Sequence, residues 1–204
     1  MRTLPLTVLA MSLLACGPSG STAAIFRLVN AGEGPFLVTH IDDSKAASWL
    51  YLVSAPGVPG EISHSHYLDP VQLPEGPMVS RYITDLQIVF QEQTADGKYY
   101  WGSSSGDVLE APLVELSYPL RLNRTWTTGN ENFPDWYQFS VDGVDEVETP
   151  AGHFTAARLL QFNSRENSTV TRWYVERVGM VQRFVTDQSG ATRTTLLSFQ
   201  GESP

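Results

Sequence analysis

The sequence predicts an all-β protein. The expected architecture is an antiparallel meander forming a curved sheet, a sandwich or an open barrel, with little helix. Three observations lead there. Apolar–polar alternations recur every ~10–15 residues, with turn signals between them. Prolines at 35, 56, 59, 70, 74, 77, 112, 119, 134 and 150 leave little room for long helices. Strands do not alternate with helical stretches, as parallel βαβ units require.

Composition narrows the class. A chain of 204 residues makes one domain, or two small ones. With 42% hydrophobic and 17% charged residues it is neither a disordered acidic tail nor a coiled coil. Thirteen Lys and Arg stand against 22 Asp and Glu, a formal net charge of −9, and no basic cluster occurs. A nucleic-acid partner held through its phosphates is therefore not expected. The single cysteine excludes an internal disulfide framework and any multi-cysteine metal site.

The elements follow in order. From Ile25 onward the pattern is strands and turns. Asp42 to Leu50 is the one short helix candidate, with Asp42 or Asp43 as its N-cap. Ser54 to Pro77 is rich in Pro, Gly, Ser and His and reads as the least regular part, a long functional loop or a domain-edge excursion. In Thr84 to Phe90, Leu86, Ile88 and Phe90 form one face and Asp85 and Gln87 the other. Ala95-Asp96-Gly97-Lys98 then turns the chain into Tyr99-Tyr100-Trp101, a hairpin signature. Asp107 to Val114 is a further strand, stopped near Pro119. Tyr137, Phe139 and Val141 alternate with polar neighbours before an expected turn at Asp142-Gly143. Phe154, Ala156, Leu160 and Phe162 share a face interrupted by Arg158. Val170–Glu176 and Met180–Val185 pair around Val178-Gly179, and Asp187 to Gly190 turns into a last strand from Ala191 to Phe199.

The N-terminus has its own logic. Arg2 precedes an apolar run, Leu4 to Leu14, that is too short to cross a bilayer permanently. The run ends Leu13-Leu14-Ala15-Cys16, which resembles the bacterial lipobox. The resemblance implies cleavage between Ala15 and Cys16. It also implies a diacylglycerol thioether on the Cys16 sulfur and a further acyl chain, such as palmitate, on its amine. Two or more chains suffice for stable anchoring. Gly17, where an aspartate would favour the inner membrane, leans toward the outer membrane. The alternative is an ordinary secretory signal peptide with Cys16 incidental. The expected organisation is a signal peptide over 1–15, a lipidated cysteine and flexible tether over 16–24, and one β domain over 25–204.

A second likeness lies in the C-terminal half. Tyr118-Pro119-Leu120, Trp126, Val147-Glu148-Thr149-Pro150-Ala151-Gly152-His153-Phe154, Ala157, Trp173-Tyr174 and Val178-Gly179-Met180-Val181 resemble β-rich bacterial lipoproteins labelled TapB-like. His153 departs from the small residue common there. The resemblance implies an antiparallel sheet on a tethered domain and brings no catalytic residues. The same residues also have a direct physical reading. Pro150-Ala151-Gly152 is a tight turn, Gly179 marks a bulge or turn, and Trp126, Trp136 and Trp173 are core anchors.

Chemistry is sparse. His64-Ser65-His66 has metal-ligand spacing, because residues i and i+2 of a strand point to one face and could share Zn²⁺ or Cu²⁺. Glu61 and Asp69 are the nearby candidates for a third ligand. No Gly-x-Ser-x-Gly elbow occurs, and Ser103-Ser104-Ser105-Gly106 carries no nucleophile context. Asp42-Asp43 and the Asp142/Asp145 pair read as solvated turns. No catalytic residue and no cofactor is expected. A curved sheet rich in aromatics can enclose an apolar ligand, or can simply fill its core. Three readings remain. The first is a non-catalytic envelope lipoprotein that binds an envelope partner or plays a structural role. The second is a periplasmic carrier of a lipid or other apolar ligand. The third is a metal-binding protein or metal-dependent enzyme at His64 and His66.

Overall fold

The computed structural model describes residues 24–33, 35–39, 41, 47–74, 76–84, 87–106, 108–130, 133–188 and 190–201. Ala15, Cys16, His40 and residues 42–46 lie outside the described residues.

Chain order gives β1 (Ala24–Asn30), β2 (Phe36–Val38), β3 (Ser48–Ala55) and the long β4 (Val58–Gln72). The meander continues through β5 (Met78–Ile83), β6 (Ile88–Gln93), β7 (Gly97–Ser103) and β8 (Val108–Ser117). After β9 (Leu120–Arg121) and β10 (Thr125–Asn130), a second meander runs through β11 (Phe133–Thr149), β12 (Gly152–Asn163), β13 (Ser168–Val175), β14 (Gly179–Asp187) and β15 (Gly190–Gln200). No helix occurs among the described residues.

Thirteen strands make one antiparallel sheet in the order β1, β10 to β15, β3 to β8, while β2 and β9 pair separately. β15 joins the two meanders by pairing with β3. The sheet curls until its end strands, β1 and β8, lie side by side. Side chains bridge the seam: the Val114 amide donates to Thr128 Oγ1 at 3.3 Å, and Trp126 Nε1 donates to the Val114 carbonyl at 3.4 Å. The result is a nearly closed barrel, which removes most of the edge that an open sheet exposes.

Turns alternate between two rims because neighbouring strands alternate direction. The β3–β4, β5–β6, β7–β8, β10–β11, β12–β13 and β14–β15 turns share one rim. Ala24, opposite Asn130, starts β1 on that same rim. The other rim is closed by the segment around β2. Val38 and Ile41 are buried there. Ile41 bridges Arg177, and its carbonyl accepts a hydrogen bond from Gln93 Nε2 at 2.6 Å. This ties β6 to the β13–β14 turn across the end of the barrel.

Two apolar clusters hold the wall. One centres on Trp126, Leu120, Val141 and Leu159, all fully buried, with Trp126 stacked on Phe139 at 4.9 Å. The other joins Trp49, Tyr51, Tyr67, Val181 and Leu196 to Ala156 and Val147 near the tip of the β11–β12 hairpin. Each fully buried aliphatic side chain contributes about 1.5–3 kcal/mol.

Several expectations are corrected. Ser48 to Leu50 belong to β3 rather than to a helix. Most of Ser54 to Pro77 is strand, because register shifts between Val53 and Ala55 and between Leu68 and Val71 let the ladder pass Pro59 and Pro70. Asp142-Gly143 is a bulge within an unbroken β11, where a Cβ on Gly143 would meet Arg158 Nη2 at 2.7 Å. In β12 the inward row is Ala157, Leu159 and Gln161, while Phe162 is 36% exposed. In β6, Gln87, Val89 and Gln91 face the interior, opposite to the face on which Ile88 and Phe90 lie.

Candidate binding cavity

The barrel interior is only partly filled. A cavity of about 680 Å³ opens at the rim that carries Ala24. Ala55, Pro56, Thr84, Gln87 and Ala191 line its mouth, and Ile41, Trp49, Gly179 and Met180 form its floor. Ligand cavities commonly span ~300–1,000 Å³.

The floor is packed with aromatic rings whose polar tips are hydrogen-bonded. Trp49 packs edge-on to Tyr67 and Tyr82 at 5.8 and 5.9 Å, and those tyrosines lie 5.1 Å apart. Trp49 Nε1 donates to the Val178 carbonyl at 2.6 Å, and the Tyr51 hydroxyl to the Met180 carbonyl at 3.0 Å. Gly179, at φ +94°, lets the backbone pass beside Trp49 and Ile41. Burial pushes the phenols of Tyr82 and Tyr174 up to about 12 and raises Tyr51 well above its ordinary value. All three stay protonated, and so can donate hydrogen bonds, at any physiological pH.

Polar and charged side chains interrupt a mostly apolar wall. Gln91, Gln161 and Arg172 are buried and point inward. Gln91 Nε2 donates to Glu115 Oε2 at 3.1 Å, and Arg172 Nη1 donates to Gln161 Oε1. Lys98 Nζ lies 5.5 Å from the centre of the Tyr82 ring. Arg183 stands directly opposite Arg172 on the β13–β14 ladder, with Thr194 next in the row. Burial first, and then Arg172, pull the Arg183 guanidinium down to about 10. Among the described residues, the cavity lining contains no histidine, cysteine or aspartate.

The site residues expected from sequence fall elsewhere. Ala15 and Cys16 are outside the described residues. His64 and His66 share the outer face of β4, ring centres 5.1 Å apart. Glu61 lines the cavity on the opposite face. Among the described residues, no group of three His, Cys, Asp or Glu comes together as a metal site. His153 Nε2 lies 3.8 Å from Glu148 Oε1 on the surface. Asp142 and Asp145 are held by Arg158, at 2.8 and 3.0 Å, and Trp173 Nε1 donates to Asp145 at 2.7 Å. Ser103 to Gly106 close the β7–β8 turn.

The interior residues were the ones sequence reasoning missed. A signal was present. Arg172 has the same strand parity as Val170 and Tyr174, and Arg183 the same parity as Val181 and Val185. A charge in the buried row of a strand is costly unless something uses it.

Fold and site together define a nearly closed antiparallel barrel with a ligand-sized polar–aromatic interior. No family model and no curated protein matches the chain. The TapB-like resemblance over 118–185 therefore rests on its motif residues alone. Two solved structures are similar in outline. One is a protein from Bacteroides fragilis classed as exported, with a YmcC-like fold: 12% identity, TM-score 0.44, covering 79% of this chain and 99% of that one. The other, from Parabacteroides distasonis, is classed as a lipoprotein: 11% identity, TM-score 0.39, covering 78% and 97%. At such scores the likeness says nothing of what this chain binds.

Proposed function

We propose that this protein is a lipid-anchored bacterial envelope protein with a non-catalytic role, whose barrel takes an apolar or amphipathic ligand into its interior. The cavity is the observation that carries the reading. A protein serving only as a spacer has no use for a 680 Å³ space, which forgoes packing that would stabilise the fold. The lipobox likeness at Ala15 and Cys16 supports the anchor, and Gly17 favours the outer membrane.

The geometry also gives the mouth a direction. Seven residues, or eight Cα–Cα steps, separate Cys16 from Ala24, a reach of at most ~26–29 Å when fully extended. Because Ala24 lies on the mouth rim, an anchor at Cys16 turns the opening toward the bilayer and the β2 side away from it. A ligand drawn from the membrane then has a short path.

The test is organic extraction of the full-length protein purified from membranes, followed by mass spectrometry. A stoichiometric lipid or other amphiphile, retained after exchange of bulk lipid, supports the reading. Recovery of bulk membrane lipid in its bulk proportions, at well below one molecule per chain, counts against it.

A further inference from the structure

The interior carries a charge pattern opposite to that of the whole molecule. The chain is formally −9, yet the cavity is lined by Arg172, Arg183 and Lys98 against Glu115 and Glu61. Glu61 is exposed, and Glu115, which accepts from Gln91 and lies near enough to Arg183 to act on its charge, is one carboxylate against three cations. The deep part of the cavity is thus net cationic.

Arg172 and Arg183 are the unusual pair. Like charges directly opposite on an antiparallel ladder repel, and a barrel wall has cheaper residues to offer. Arg172 donates through Nη1 to Gln161 Oε1. Among the described residues, no hydrogen bond or ion pair engages the Arg183 guanidinium. The same cavity is lined by aromatic rings and by apolar surface at Val53, Val89, Leu113 and Met180. Two guanidiniums side by side make a fork suited to a carboxylate or phosphate, which would remove their repulsion.

We propose that Arg172 and Arg183 form the head-group site of the cavity, so that its ligand is an anionic amphiphile with the carboxylate or phosphate on the arginines and the apolar chain along the aromatic wall. This rests on the cavity reading above and adds the chemical class. The two sources of that anion are a free fatty acid and a monoacyl phosphate lipid.

The test uses the full-length protein in nanodiscs, with empty nanodiscs as the reference. Four probes share one chain: decanoate, decyl phosphate, decanol and decyltrimethylammonium. Binding is read by tryptophan fluorescence. The expected result is that one or both anions bind roughly tenfold or more tighter than decanol, with the ammonium weakest. Tighter binding of decanoate points to a fatty acid, and tighter binding of decyl phosphate to a phosphate lipid. Arg183→Gln is expected to erase the preference for anions over decanol, and Arg183→Lys to retain part of it. Equal binding of anions and decanol overturns the head-group site but leaves the cavity standing. A preference for the ammonium overturns it in favour of Glu115. Failure of all four probes overturns the cavity reading itself. The ranking on the unmodified protein decides the matter even if a variant does not fold.

Discussion

Replacing Arg183 by methionine is expected to stabilise the unliganded protein. Arg183 is held charged inside the barrel beside a second arginine, and its pKa is depressed to about 10. That is a fall of between two and three pH units. At 1.36 kcal/mol per unit it corresponds to ~3 kcal/mol of strain in the charged folded state at neutral pH. The sign follows from proton binding. Between pH 10 and the unfolded value, the unfolded chain holds the proton that the folded chain has lost. Stability on this account rises with pH there, and the full penalty is present below pH 10. Methionine keeps the apolar stem and removes the charge, so little packing is lost. The net gain is therefore ~1–3 kcal/mol, read as about 2–4 °C in Tm per kcal/mol for a domain of this size. The assay is unfolding of the ligand-stripped full-length protein followed by circular dichroism. A loss of stability of ~1 kcal/mol or more in the variant would show that Arg183 is a satisfied structural group, and the reasoning would be wrong.

Other outcomes follow from the same structure. Leu159→Ala, in the fully buried row beneath Arg172, is expected to cost ~2–5 kcal/mol in denaturant unfolding, and a cost under ~1 kcal/mol would mean that this wall is not packed. Tyr51, Tyr82, Tyr137 and Tyr174 have phenols raised by burial. The folded state keeps their protons above the ordinary value of about 10, so their contribution is unchanged below pH 10 and falls as pH rises past it, while the lowered guanidiniums of Arg183 and Arg124 act in the opposite sense. Ultraviolet titration should show these phenols ionising together with unfolding, whereas smooth ionisation of the folded protein would contradict their burial. A quencher in the lipid should reach a fluorophore on Glu166→Cys, at the mouth rim, more strongly than one on Ala95→Cys at the opposite rim. The reverse order would refute the orientation given by Ala24 and Cys16.

The strands and most turns were legible because local chemistry dictates them. Asp96-Gly97 makes its hairpin turn, with the Thr94 hydroxyl donating to the Asp96 carboxylate, and Pro150-Ala151-Gly152 turns the long hairpin with Gly152 at φ +142°. Gly179, at φ +94°, opens β14 directly after the β13–β14 turn. Facing was less legible. The alternation across Ile88 and Phe90 fixes a period of two but not which row is inside, and here the interior selects Gln87, Val89 and Gln91. Pro70 and Gly143 read as breaks in the sequence, yet a bulge absorbs each one within a continuous strand. Aromatic content was compatible with both a filled core and a cavity. The difference lies in curvature and closure, set by long-range pairings such as β15 with β3, which no local pattern encodes. His64 and His66 were the visible constellation, and they lie on the outer face.

Native mass spectrometry of the full-length protein, released gently from membranes, tests the central claim most directly. A barrel with a working interior should fly with one non-covalent anionic amphiphile and shed it on collisional activation. If the barrel has no such function, the chain should appear at its covalent mass alone and gain no adduct when decanoate or decyl phosphate is supplied.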